Sequence, residues 1–378
     1  MRPVLMVSLC TLVPGLVAAQ SSQFGVRGLG YPGRALSAHA TGSGGAFGLF
    51  DPESSLNPAS LSALPTLTAT FTGVQDYRHV ENPAGSQSAR DTRFPQLAVA
   101  GPLKKLPLAL GVSFSSYTTR DFTLVTGDTI ALRGVAVPVS DTFASRGGIS
   151  DLRFAGSYKV HDSWVFGGSI HVLTGSNRIT SVRAFADPSY QTARQTSEIS
   201  YAGVGFDLGV IRNFGPNFAM AAMARTDGHA DVDRDSARVA SVDLPYSFGF
   251  GMRWKPSGAL DLAGNVIYRT WSDADIDLLS QGGTGANNTF QVAVGGELIP
   301  DLRRPNRRPI RFGAHYGTLP FPLIPGEQPK EFGLSVGSGV RFAQQRAGID
   351  LALEHLWRSV GSYKERAFLI TVGVMVRP

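Results

Sequence analysis

The sequence holds a single cysteine, Cys10, and it falls inside an N-terminal apolar stretch. That stretch begins after Met1-Arg2-Pro3, runs through residues 4–17 and ends on Ala18-Ala19 before Gln20. A basic start, a short apolar core and small residues before a polar one describe a secretory signal peptide, here residues 1–19. Leu9 before Cys10 is a poor context for lipidation, so the segment reads as a removed signal and not a lipoprotein anchor. Without it the chain has no cysteine, which excludes disulfides and thiol chemistry. Also missing after the N-terminus is any apolar run of about 18 residues, which excludes a helical membrane protein. Charged residues are scarce at 17 %, and mean hydropathy is +0.00. The formal net charge of +6 could suggest nucleic acid. The basic residues are scattered, however. Their one dense group, Arg303, Arg304, Arg307 and Arg308, fits a turn or an interface with anionic lipid headgroups better. No nucleic-acid partner is expected.

What the chain does have is alternation. In residues 368–376, Phe368, Ile370, Val372, Val374 and Val376 share one strand face, and Leu369, Thr371, Gly373 and Met375 share the other. Such an apolar face at the end of a chain is a liability in water and makes sense against lipid in a closed barrel. The pattern recurs from Leu67 onward in about fourteen runs. Tyr246, Phe248, Phe250, Met252 and Trp254 oppose Ser247, Gly249, Gly251 and Arg253. Ile349, Leu351, Leu353 and Trp357 oppose Asp350, Glu354 and Arg358. A soluble sandwich would bury the apolar face instead. Runs of about ten residues, aromatics near run ends (Tyr117, Tyr158, Trp164, Trp254, Tyr268, Trp271, Tyr316, Trp357) and Arg with Asp on the polar face favour a membrane barrel with a wet lumen. Connections alternate between tight turns and longer stretches near residues 123–148, 177–194, 228–243, 273–287 and 319–329, as in an outer-membrane barrel. The expected fold is all-β: a transmembrane antiparallel barrel of about fourteen strands over residues 65–378. The last run would close it against the first, near residues 66–77. Residues 20–64, rich in Gly, Ser, Ala and Pro, form a separate irregular segment with a short helix near residues 34–40.

No chemical constellation stands out, and no enzyme activity, cofactor or metal is expected. The seven histidines have no metal-ligand spacing. Residues 227–235 collect Asp227, Asp231, Asp233 and Asp235, but lack the glycine and distal Glu of a calcium loop, and read as a solvated polar loop. Gly28, Gly30 and Gly33 follow no buried strand, so a dinucleotide loop is a poor reading. Ser169 and His171 share a strand face without an assignable orienting partner.

The segment Gly44-Gly-Ala-Phe-Gly-Leu-Phe-Asp51, followed by Asn57-Pro58-Ala59, resembles the start of the FadL-like long-chain fatty acid transporter superfamily, which includes PorV/PorQ-type outer-membrane relatives. Physically, Asn57-Pro58 sets a turn that Asn can brace on its own backbone. The segments at residues 244–273 and 311–326 resemble that family's distal half. The terminal Arg377-Pro378 departs from the aromatic ending common in such barrels. The resemblance implies residues 20–64 as a lumen hatch, with Asn57, Pro58 and Ala59 in it. It also implies passive outer-membrane uptake of hydrophobic small molecules through a lateral gap in the wall. Phe47, Phe50 and Leu61 are candidates for the apolar path, and Phe321, Leu323 and Ile324 for a patch among the long loops. The alternative, drawn from PorV-like relatives, is a binding or shuttle component of a secretion or envelope complex. Expected partners are the hydrophobic ligand, outer-membrane lipid and lipopolysaccharide, the barrel assembly machinery, and another envelope protein.

Overall fold

A computed structural model describes residues 22–280, 283–302 and 307–378. The expected signal peptide, Arg303 and Arg304 lie outside the described residues. Fourteen antiparallel strands close into one barrel. In chain order they are β1 (Thr68–Asn82), β2 (Gly85–Pro102), β3 (Leu108–Thr119, continued by Phe122–Leu132), β4 (Val135–His161), β5 (Trp164–Phe185), β6 (Ala193–Asn213) and β7 (Phe218–Thr226, continued by His229–Arg234). There follow β8 (Ala237–Asp243, continued by Tyr246–Trp254), β9 (Leu260–Arg269), β10 (Thr289–Leu298), β11 (Arg307–Thr318), β12 (Lys330–Phe342), β13 (Ala347–Val360) and β14 (Tyr363–Val376). Each pairs with its sequence neighbour. β14 pairs with β1 from Lys364–Glu81 to Val376–Ala69, so the closing seam forms as expected and leaves no edge there.

The alternation lands on the two faces of the wall. Tyr246, Phe248, Phe250, Met252 and Trp254 are exposed outward, and Ser247, Gly249 and Gly251 are buried inward. Phe368, Val372, Val374 and Val376 point out, while Leu369, Thr371 and Met375 point in. A polar inward face would cost several kcal/mol per unpaired ion, and here its charges are matched. Arg153 bonds Asp151, Arg311 bonds Asp350 at 2.7 Å, and Arg358 bonds Glu331 and Glu365.

Two expectations need correction. Residues 123–148 and 228–243 are not loops but strand hairpins, and half of 177–194, residues 177–185, continues β5. They carry β3–β8 beyond the rim. Backbone pairing overrode their polar composition, because a hairpin continuing a ladder satisfies its own N–H and C=O groups. Tyr117 and Trp271 do not join the outer aromatic band. Tyr117 Oη donates to Asp227 Oδ2 at 2.8 Å, and Trp271 is buried among loop residues against Phe321.

Residues 22–64 pack against the inward face of the wall. They contain a helix, Ala38–Gly42, slightly later than expected, and a 3₁₀ turn, Pro58–Ala63. Wall side chains hold their backbone: Asn265 Nδ2 donates to Gly45 O and Ala46 O, Gln96 Nε2 to Glu53 O, and Arg153 Nη1 to Ser55 O. Such bonds to an irregular segment replace the water its peptide groups would otherwise need.

Candidate functional site

One seam stops while both of its strands run on. β2 and β3 pair only from Pro102–Ala109 to Gln96–Ser115, although both strands run on beyond that rung. Three local features converge where the ladder stops. Pro95 follows the last rung and brings no N–H. The β3–β4 register shifts between Ser116 and Thr118, and the β1–β2 register shifts between Thr72 and Val74. Bulges bend and twist a strand edge, and two flanking one seam splay it.

The N-terminal segment covers the freed edge of β3. Tyr31 and Pro32 pair with Thr119 and Thr118, and Gly33 N donates to Tyr117 O at 2.7 Å. Behind this two-residue strand lies a cavity of about 290 Å³. Its mouth carries Phe94, Pro95, Phe114 and Ser116, its floor Leu36, Val74 and Leu369, and its inner end Arg34, Glu354 and Arg358. The cavity therefore has an apolar end at the wall and an ionic end in the lumen.

That ionic end fastens the segment. Arg34 forms a forked pair with Glu354, and its Nη1 lies 3.4 Å from His315 Nε2. Tyr31 Oη donates to Glu331 Oε2 and accepts from Arg358 Nη2 at 2.8 Å. Burial pushes the Tyr31 phenol up, so it stays protonated. Ser22 Oγ donates to Glu365 Oε1 at 2.8 Å. Further along, His39 sits 3.2 Å from Glu297 and 3.7 Å from Asp51. Burial and then the charge of Arg311 oppose its charge, but the carboxylates of Asp51 and Glu297 outweigh them and raise the imidazole to about 9. Glu53 is pushed up to about 7 by burial and then by the charges of Asp51 and Asp350.

The residues singled out from sequence are scattered along the lumen. Asn57 caps the 3₁₀ turn: Oδ1 accepts from Ala59 N at 3.1 Å and Nδ2 donates to Leu49 O at 3.0 Å. Pro58 and Ala59 lie flush against the wall at two glycines. A Cβ on Gly209 would fall 1.9 Å from Asn57 Oδ1, and one on Gly167 2.2 Å from Ala59 N. Phe47 packs with Ala46, Ala263 and Ala293, Phe50 with Leu49, and Leu61 with Leu64, Ala100 and Ala109. At the loop end, Phe321 packs with Leu29 and Trp271, while Leu323 and Ile324 join Phe24, Tyr31 and Leu319. None of the six apolar candidates lines the 290 Å³ cavity. The residues that do were missed, although Pro95 inside an alternating run was a readable mark of a broken edge. Ser169 and His171 form no nucleophile–base pair. Ser169 Oγ donates to Asp207, and His171 lies between Asp207 and Asp227, at 3.1 and 2.8 Å. Asp231 and Asp235 point to other partners, Arg238 and Ser197, so the acidic run makes no cluster.

Residues 4–221 match the family model BamG, more than half of the chain. The chain belongs to the BamG family. No curated protein sequence matches this BamG-family chain. Among solved structures it resembles a Pseudomonas aeruginosa FadL homologue, with TM-score 0.61 and 13 % identity over 92 % of this chain and 99 % of that one. It also resembles the Pseudomonas putida toluene transporter TodX, with TM-score 0.58 and 14 % identity over 91 % of this chain and 98 % of that one. A third likeness is the monoaromatic hydrocarbon channel CymD, with TM-score 0.58 and 14 % identity over 92 % and 98 %. This BamG-family protein thus has the FadL-like fold and is a β-barrel of the bacterial outer membrane.

Proposed function

We propose that the protein is an outer-membrane channel for passive uptake of hydrophobic small molecules, with residues 20–64 as its hatch and residues 65–378 as its barrel. One observation carries the reading: the β2–β3 ladder stops at Gln96–Ser115, and a cavity with an apolar mouth opens behind the stop. A solute partitioning into lipid needs no aqueous exit if the wall itself opens sideways. In this reading the solute enters among the loops near Phe321, Leu323 and Ile324. It passes Tyr31–Leu36 as the hatch shifts and leaves past Phe94 and Phe114. Phe47, Phe50 and Leu61, with Asn57, Pro58 and Ala59, keep the hatch seated on the wall rather than touch the solute. The mechanism makes and breaks no covalent bond, and the FadL-like fold of the hydrocarbon channels supports it. The test is uptake of a labelled long-chain fatty acid and of toluene into liposomes carrying the purified barrel. Stimulation of either supports the channel, and stimulation of neither overturns it.

A second reading is favoured by membership of the BamG family: a binding component beside the barrel assembly machinery. Stable co-purification with that machinery, without any liposome uptake, would select it.

A further inference from the structure

The outward wall carries a second feature that the channel does not use. Two concavities lie on it and share His355 and Phe368. One is an apolar groove of about 840 Å³ across β9–β14, floored by Val294, Phe312, Leu334, Val336 and Leu353. The other, of about 540 Å³, spans β13, β14, β1 and β2 and presents His79, Arg90 and Arg366 beside Tyr77.

Register places these groups in two rows. His355, Phe368, Tyr77 and Arg90 lie side by side, and Trp357, Arg366, His79 and Ser88 form the next row toward the loops. The His355 ring lies 4.2 Å from Trp357, which stacks on Phe332. These rings mark the level of the membrane interface, where headgroups sit. One acid faces the patch, Glu81, 3.7 Å from His79. Arg90 and Arg366 have no carboxylate partner among the described residues. Two unpaired guanidiniums at headgroup height, joined to an apolar groove below, match an anion that carries acyl chains. Guanidinium suits phosphate because its planar fork can bond two oxygens at once.

We propose that this wall holds one phosphorylated, multiply acylated lipid of the outer leaflet, lipopolysaccharide. Arg90 and Arg366 take its phosphate, and the groove over Leu334 and Val336 takes its acyl chains. The loop end faces that leaflet because long extracellular and short periplasmic connections are the rule for these barrels.

The full chain in detergent is titrated with bisphosphorylated lipid A and followed by native mass spectrometry. One lipid should be retained per barrel. The double variant Arg90→Ala/Arg366→Ala should bind it roughly thirtyfold more weakly, two basic contacts being removed. Dephosphorylated lipid A should bind more weakly and be indifferent to the double variant. Leu334→Trp, filling the groove while leaving the charges, should also weaken retention. Unchanged binding by a double variant that keeps its heat-dependent gel mobility would overturn the site. Equal displacement by phosphatidylglycerol at matched concentration would overturn the assignment to lipopolysaccharide.

Discussion

Two seams of this barrel, two strands apart, are built to opposite ends. Between β14 and β1 the ladder is continuous, from Lys364–Glu81 to Val376–Ala69. Between β2 and β3 it stops at Gln96–Ser115, and two residues of the N-terminal segment take up the exposed edge. The first seam seals itself with backbone hydrogen bonds and needs nothing from the lumen. The second depends on Tyr31, Arg34 and Ser22 and on the carboxylates that hold them. A barrel can therefore stay closed as a membrane structure while one place in its wall remains under separate control.

The largest effect is expected from locking the open seam. Since the one cysteine is Cys10, Phe94→Cys with Ser116→Cys joined by a short thiol cross-linker should reduce liposome uptake to the barrel-free level. Val374→Cys with Phe71→Cys across the closed seam should leave uptake unchanged. The next effect is pH. His39 is raised in the fold, so its contribution is complete below about 6.5 and is lost as pH rises through about 9, worth up to about 3 kcal/mol. Glu53 is raised as well, from 4.5 to about 7, so its ionisation disfavours the seated segment over the same direction of change. Proteolysis of residues 22–64 should therefore speed up between pH 6 and pH 9.5, while the barrel keeps its gel mobility. His39→Gln should flatten the upper part of that profile.

A smaller change comes from Gly209→Leu, which drives a side chain into Asn57. It should cost about 1–3 kcal/mol by overpacking, read as a lower urea midpoint for release of the segment. Tyr31→Phe removes the hydroxyl between Arg358 and Glu331 and should cost about 1–2 kcal/mol. Its readout is faster proteolysis at the open seam, with the closed seam unaffected. The smallest effect is that of Pro95→Val, which restores one N–H beside the last rung. It should stabilise the seam by about 1 kcal/mol and lower uptake in proportion.

Much of this architecture was readable in the chain. The faces of residues 246–254 and 368–376 were assigned correctly because a strand's side chains alternate regardless of what they meet. The turn at Asn57-Pro58-Ala59 was likewise visible, since Asn and Pro act on their own backbone. Tyr117 and Trp271 went the other way. Ring chemistry suits an interfacial belt or a buried contact equally, and the choice depends on which partner, Asp227 or Phe321, lies across the lumen. Residues 123–148 looked like a loop because their polarity suits solvent. Their pairing is set by the two-residue turn at Arg133-Gly134 and the register it imposes, which composition does not carry.

The chain's own pattern determined a lipid-facing barrel with an ionic lumen, because period-two alternation is local and survives any register. The tertiary structure alone decided which seam stops short and what covers it. A seam is a relation between strands, and the bulges at Thr72–Val74 and Ser116–Thr118 acquire meaning only when they fall on either side of Pro95. Likewise the cover strand Tyr31–Pro32 has no period of its own to read. Its partners are Glu331 and Arg358, about three hundred positions away, and only the closed barrel brings them together.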